Sequence, residues 1–562
     1  METPAPHSAP PLSLEGIKDT IESIVIALIL AFVFRAFVVE AFVIPTGSMA
    51  PTLYGAHGTI LCEDCGTEFA YGLRDPDEQR RTALVGPTTR AVCPNCNHPN
   101  SNLRLNDVRG NPERGDRILV LKWPFDFGGS HLAPARWDVV VFKDPADGKT
   151  NFIKRLVGLP GEVLSIIDGD VYTAPAEQLS TEGRSELEGL IDQKVRLQRG
   201  GDVGRLPPIS PRLHSELESI LRIARKAGPA RDALWFPVYD HDYPPQTLDR
   251  GQPYWGTGAP EGSGWDAGNR QIRFEDQGLA SDFIELRGKP IVASCAYNIT
   301  GPPTQPPAVA DQRVRFVLTP DSGSGWVSIR LVKRGRIFWA TLWMDGRATI
   351  AEGVAWPGTD AEPMLGADLK PLASGRPVAV SFENADYHLS LSIAGRVVLE
   401  SSSEPGTEGY YGPALRQLRG VSPERYTPSP QIHASGGGSF TFSHVVVEHD
   451  VYYYQDVSFQ VPALSWAPRD GWGSSTSPIL LREGEFFMLG DNTAASKDSR
   501  LWDQIGPHLE LRGAAFQLGT VPEDQLIGKA FFVYWPSAHR AEWLPFLRWG
   551  IIPDVGRMRW IR

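Results

Sequence analysis

Cysteine is scarce in this chain, with 5 among 562 residues, which excludes a small disulfide-dense secreted scaffold. A surplus of positive charge is missing as well: Lys+Arg 55 against Asp+Glu 66 gives a net charge of -11. Phosphate binding needs a clustered positive surface, so nothing here points to a nucleic-acid partner. There is no GxSxG elbow, and none of the 12 histidines stands in a setting distinctive enough for a base, so a Ser-His-Asp triad has no candidate. The 56 Gly and 48 Pro favour turn-rich β structure over long helices. At about 150 residues per domain the length implies three or four domains rather than one core.

Long apolar runs are also few, and one stands out: IVIALILAFVF at 24–34. A generous span over 21–42 would make about 33 Å of helix, enough to cross a bilayer. Arg35 interrupts it and Glu40 lies near its end, so either Arg35 snorkels to the interface or the apolar segment is short. A single membrane anchor is the expectation. A cleaved signal peptide, with the Val39-Glu40-Ala41 triplet as its support, and a buried helix are the alternatives.

Directly after this span comes IPTGSMAPTL at 44–53, with Ser48 on a Gly/Pro turn. A nucleophile needs a fixed, exposed turn, although such a serine alone is an ordinary turn residue. In FIKRLVGLPGE at 152–162, Lys154 stands in an apolar β-type run ended by a Gly/Pro turn. Lysine serves as a general base near neutrality only when desolvation or a nearby cation lowers its pKa, and Phe152, Ile153 and Leu156 offer that setting. An edge-strand lysine facing water is the alternative. Far downstream, the polar loop GDNTAASKDSRLW at 490–502 follows the apolar residues 486–489, and its acidic, hydroxyl and basic groups can order a buried polar site.

Together with RGDRILV at 114–120, WDVVVF at 137–142 and VPEDQLIGKAFFVYWP at 521–536, these motifs resemble the type I signal peptidases, membrane-anchored serine proteases with a Ser-Lys dyad. Six motifs in one order make a specific signal, and about half the chain lies outside them. The resemblance implies a mainly β fold, with a signal-peptidase-type antiparallel β catalytic core following one N-terminal transmembrane helix. It implies Ser48 as nucleophile and Lys154 as neutral general base, an acyl-enzyme, and an oxyanion hole from the Ser48 N–H and the Thr46 hydroxyl. It further implies that Ser496 hydrogen-bonds the Lys154 amine and that Asp498 and Arg500 form a structural ion pair. Phe42, Ile44 and Ile153 fall where small apolar subsites would select small residues at the -1 and -3 positions of a signal peptide. The substrate would bind as an added β-strand. No cofactor is implied for the chemistry. The implied partners are signal-peptide-bearing preproteins and the lipid bilayer, at a cell membrane crossed once with the catalytic domain on the exoplasmic side. Thr493 and Ala494-Ala495 depart from the family's more polar loop, and a longer segment separates Trp502 from Val521.

Two insertions stretch this plan. Cys62-x-x-Cys65 and Cys93-x-x-Cys96 flank 27 residues, the pattern of two knuckles placing four thiolates on one zinc ion. Iron or paired disulfides are the alternatives. A closed sphere of four thiolates makes the site structural, in a zinc ribbon over 62–110. His98 has no necessary role, and Cys295 reads as a small buried hydrophobe. The second insertion opens with a polar, Pro/Gly-broken stretch over 173–300 holding one helix across 214–226. After a Pro-rich linker, alternating strands over 301–450 predict a β-sandwich with a lectin- or laminin-G-like pattern. Its expected role is packing, with an unknown glycan or peptide ligand as the functional alternative and His388, His433, His444 and His449 as an imaginable site. The remaining divisions are a tail at 1–20, an anchor at 21–42, a discontinuous core at 43–61, 111–172 and 482–540, a return segment at 451–481 and a tail at 541–562. Trp549, Ile551, Ile552 and Trp560 in that tail alternate with arginines and suggest contact with a bilayer surface. The rival to a protease is a membrane-tethered adaptor on a retired scaffold. A self-cleaving repressor protease would need a DNA-binding module, where this chain has an apolar span.

Overall fold

The computed structural model describes residues 14–72, 91–100, 115–127, 133–200, 208–226, 228–247, 254–257, 262–268, 270–279, 282–295, 297–298, 306–354, 363–402, 407, 409, 411–418, 429–455, 471–502, 504–511, 516–539 and 552–561. Expectations for 1–13, 73–90, 101–110 and most of the C-terminal tail fall outside them.

The apolar N-terminal run forms the helix Leu14–Phe37, and its side chains from Ile21 to Arg35 and at Phe37 are exposed, Leu30 by 62% and Phe32 by 65%. The expected span over 21–42 is corrected at its end: Val39–Val43 is a strand paired antiparallel with Arg117–Leu121. Helix gives way to sheet there because β-branched Val38, Val39 and Val43 find an extended partner, and Lys122 meets Glu40 at 3.3 Å. Among the described residues no helix is long and apolar enough to cross a membrane.

The sheet that carries Lys154 is antiparallel and runs in the order Val39–Val43, Arg117–Leu121, Leu526–Trp535, Val139–Lys143, Asn151–Gly158, Glu485–Leu489, Val521–Pro522. Segments far apart in sequence are thus neighbours, which brings the Lys154 strand beside the strand that feeds the 490–502 loop. A second sheet of four strands, Arg222–Ile223, Asp170–Pro175, Glu162–Ile167 and Ile479–Leu480, extends from the same region.

The large insertion is a sandwich of an eight-stranded and a seven-stranded sheet. Alternate residues such as Val314, Phe316 and Leu318 on one sheet and Val327, Ile329 and Leu331 on the other share one apolar core. The expected boundary at 301 is corrected: Trp235–Asp240 and Gln271–Glu275 join the first sheet, while Trp255–Thr257 and Phe283–Leu286 join the second. The helix expected over 214–226 runs over Pro211–Ile220, capped by the Ser210 side chain on the Leu213 N–H, and a further helix occupies Thr181–Gly200.

Sandwich and core are joined by buried charge. Lys333 Nζ bridges Asp170 at 2.8 Å and Asp311 at 2.6 Å, and Lys226 Nζ bridges Asp386 at 2.8 Å and Asp450 at 2.7 Å. Carboxylate oxygens of Asp170, Asp311 and Asp386 lie within 4.8 Å of one another, but the lysine ammonium groups already supply the cations of this cluster. The four sandwich histidines do not converge. His388 meets Arg231 and Glu400, His433 stacks on Phe283, His444 bonds Asp242 and His449 packs on Phe236.

Candidate active site and cysteine cluster

Ser48 lies in the short turn Gly47–Met49, held between a cis Ala50-Pro51 bond and the apolar anchors Ile44, Met49 and Leu53. Lys154 projects from the middle of Asn151–Gly158, and its Nζ lies 2.6 Å from Ser48 Oγ although 106 positions separate them. Ser48 is 9% exposed and Lys154 4%. Burial pushes the lysine down to about 8, against an opposing pull from the carboxylates of Asp498 and Asp491. Phe152 supplies part of the apolar setting, its ring centroid 5.5 Å from Nζ.

The 490–502 loop closes over this pair. Gly490 allows it: a Cβ there would lie 2.5 Å from Ser48 O and 2.2 Å from Ser496 Oγ. Asp498 and Arg500 form a buried two-pronged ion pair at 2.8 and 2.7 Å, and the guanidinium also donates to Tyr454 O and Thr493 O, each at 2.9 Å. The structure does not make the expected bond from Ser496 to Lys154. Ser496 Oγ is buried and has no hydrogen-bond partner among the described residues, because Lys154 Nζ is turned to Ser48. Thr46 is exposed in extended backbone, its side chain making no capping bond. Phe42, Ile44 and Ile153 come together in one apolar cluster with Met49 and Leu53.

Two features were not assigned from the sequence. Arg155 and Asp491 form a second fully buried ion pair, with both contacts at 2.7 Å and a third bond from Arg155 to Trp137 O at 2.7 Å. Asn492 donates from Nδ2 to Gly47 O at 2.9 Å and from its backbone N–H to Ser48 O at 3.1 Å. The motifs named these residues, but their partners lie hundreds of positions away and only pairing of the strands reveals them.

The four cysteines converge. Their Sγ atoms all lie within 4.8 Å of one another, with Cys62 to Cys96 at 3.5 Å and Cys65 to Cys93 at 3.6 Å. Each pair turns at the end of a hairpin strand, and the tight turns use Gly66 and Asn97 at positive φ. About 2.3 Å from metal to sulfur in a tetrahedron gives sulfur separations of about 3.8 Å, so the cluster fits one ion and can hold a metal. The knuckle backbone is capped by the sandwich: Tyr254 OH donates to Cys96 O at 2.7 Å and Lys289 Nζ to Asn95 O at 2.7 Å.

Residues 17–187 and 452–535 match the family model described as Signal peptidase, peptidase S26. Signal peptidase I of Pseudomonas fluorescens is 29% identical over 164 residues, covering 29% of this chain and 37% of that protein. Signal peptidase I of Rickettsia bellii is 28% identical over 155 residues, covering 27% and 37%. The chain thus spans little more than a third of the length of these curated relatives. Solved structures with likeness to this chain include a carbohydrate binding module of Bacillus subtilis, at 10% identity, 35% and 97% coverage of this chain and that one, and a TM-score of 0.23. Another is a Bacillus subtilis protein of unknown function with a galectin-like fold, at 11% identity, 39% and 98% coverage and a TM-score of 0.25. The two matched segments carry Ser48 and Lys154 on one side and the 490–502 loop on the other, and leave out most of the sandwich. The chain is thus similar to the signal peptidase, peptidase S26 family over the two segments that hold Ser48, Lys154 and the 490–502 loop.

Proposed function

We propose that this protein is a membrane-attached serine endopeptidase that removes N-terminal signal peptides from exported preproteins. The observation that carries the reading is the buried contact of 2.6 Å between Lys154 Nζ and Ser48 Oγ, with the lysine held near 8 by desolvation. In its neutral form Lys154 takes the Ser48 proton as Oγ attacks the scissile carbonyl. The resulting ammonium returns that proton to the leaving amine, and an ester on Ser48 remains for water to hydrolyse. The Ser48 N–H and the Thr46 hydroxyl receive the oxyanion. Ser496, already buried beside Gly490, is available to orient the amine once Lys154 is neutral. Asp498 and Arg500 fix the loop. Val39–Val43 ends the core sheet among the described residues, which suits a substrate added as a strand, and Phe42, Ile44 and Ile153 line an apolar cluster beside the turn, which suits small substrate side chains.

Membrane attachment belongs to the same proposal. A helix apolar all round is stable in lipid or in a core, and residues 24–34 of Leu14–Phe37 are packed against neither core nor sheet. The apolar stretch 24–34 is only about 16 Å long, so crossing a bilayer would need its flanks. A single pass with the catalytic domain on the exoplasmic side is the arrangement that puts Ser48, just past the helix, where exported chains emerge. The sandwich would pack against the core or receive an unknown ligand of the preprotein.

We assign a structural zinc ion to Cys62, Cys65, Cys93 and Cys96. Four thiolates would leave it no open position, so it would contribute folding energy and no catalytic step, and the buried ammonium of Lys289 partly offsets their negative charge. Elemental analysis of the full chain should find about one zinc per molecule, and Cys96→Ser should remove most of it and lower the melting temperature. Two disulfides seen by mass spectrometry would contradict the assignment.

The reading is tested by the pH dependence of cleavage. With Lys154 at about 8, kcat/KM should rise about tenfold per pH unit on the acid side and level off above that value. A profile flat from about pH 5 to 10 would contradict a titrating base.

A further inference from the structure

Asn298 belongs to the segment that links the first strands of the sandwich to the rest, outside both matched stretches. It reaches the catalytic turn nonetheless. Asn298 Nδ2 donates to Asn492 Oδ1 at 2.7 Å, and Asn492 Nδ2 donates back to Asn298 Oδ1 at 2.7 Å. The same Asn492 amide donates to Gly47 O at 2.9 Å. Next to Asn298, Tyr297 lies flat on the turn. A Cβ on Gly47 would stand 1.9 Å from its ring, its hydroxyl donates to Ala56 O at 2.8 Å, and it stacks on Tyr54 at 5.8 Å. Its carbonyl accepts from Gly72 N at 2.7 Å, at the base of the cysteine hairpin.

The bond to Gly47 O has a consequence fixed by covalent geometry. A trans peptide is planar, so its N–H points opposite to its C=O. Gly47 O and the Ser48 N–H belong to one peptide unit, and whatever holds the carbonyl aims the N–H. We propose that Asn298, acting through Asn492, is a positioning residue that sets the direction of the Ser48 N–H, so that the inserted sandwich segment completes the oxyanion hole. This rests on the protease reading above. Without Asn298 the Asn492 amide loses both of its reciprocal bonds and is free to rotate away from Gly47 O. Preorganised donors matter because removing one costs about 10²–10³ in rate, and small misplacements cost a fraction of that.

The test uses the full chain in detergent with a signal-peptide substrate, comparing wild type with Asn298→Ala, Asn298→Asp, Asn492→Ala and the double alanine variant. A peptide aldehyde, whose hemiacetal oxygen occupies the oxyanion position, is the second probe. Asn298→Ala should lower kcat about tenfold and Asn492→Ala about a hundredfold, with KM within about twofold. Aldehyde affinity should fall in parallel with kcat, while the acid limb stays at about 8, since the dyad itself is untouched. The double variant should be no worse than Asn492→Ala, because the two act in series. Asn298→Asp keeps the acceptor for Asn492 Nδ2 and removes only the donor to Asn492 Oδ1, so its kcat should fall by less than that of Asn298→Ala, a gradation that a general loosening of the fold would not give. Full kcat in Asn298→Ala, or a loss in kcat with aldehyde affinity unchanged, would overturn the inference. A wild-type chain that does not cut, or a Ser48→Ala chain that does, would instead overturn the protease reading.

Discussion

Lys154→Ala and Ser48→Ala should each lower the rate of preprotein cleavage by about 10⁴-fold or more, and the double variant should be no slower than either single one. Nucleophile and base act as one unit: the contact of 2.6 Å is the path of the proton, and removing either end removes the path. The loss should appear in kcat rather than KM, because neither side chain is needed to pair the substrate strand with the sheet. Lys154→Ala should stay folded, as the linkage sign indicates. In the unfolded chain this lysine holds its proton up to about 10.5, and in the folded chain only to about 8. The folded state therefore binds fewer protons between those values, stability rises with pH across that window, and below about 8 the buried ammonium opposes folding. Replacing it removes that opposition at neutral pH and offsets part of the packing lost. Single-turnover kinetics with thermal melts on the same samples check both statements, and a cleaving Lys154→Ala variant would contradict the dyad.

Asp491→Ala should destabilise the fold by about 3–5 kcal/mol. Arg155 and Asp491 are both inaccessible to solvent, and the carboxylate takes two of the guanidinium's bonds. Removal would strand a permanent charge, shielded from bulk solvent, between the Lys154 strand and the strand before the loop. Asp491→Asn keeps an acceptor and should lose less. Denaturant unfolding of both variants gives the comparison, and equal stability of Asp491→Ala and wild type would show that the pair contributes nothing.

These two outcomes mark how far the sequence could be read. Ser48, Lys154, Asp498 and Arg500 were singled out by the resemblance of their motifs to the type I signal peptidases, since each alone reads as an ordinary turn, strand or loop residue, and the fold brings Ser48 to Lys154 and Asp498 to Arg500. The four cysteines were legible because knuckle spacing states the geometry of the cluster in advance. The alternating residues of Gln312–Pro320 and Trp326–Lys333 were legible because period-two burial is written directly into a strand. What escaped depends on partners far along the chain. Arg155 and Asp491 are 336 positions apart, and Asn298 meets Asn492 across 194, so no local pattern could pair them. The end of the N-terminal helix escaped for a related reason: 38–42 continues the apolar run, and only the strand Arg117–Leu121 decides that it extends as sheet. The short strands of 235–286 were hidden among prolines and glycines, where a few alternating residues carry little signal.

The most direct test of the whole account is to give the detergent-solubilised full chain a signal-peptide-bearing preprotein and read the cut site by mass spectrometry, with Ser48→Ala alongside. One cut after a small residue at the end of the signal peptide, absent from the Ser48→Ala sample, is the predicted result. No cut by the folded wild-type chain across several preproteins, or the same cut from the alanine variant, would contradict it.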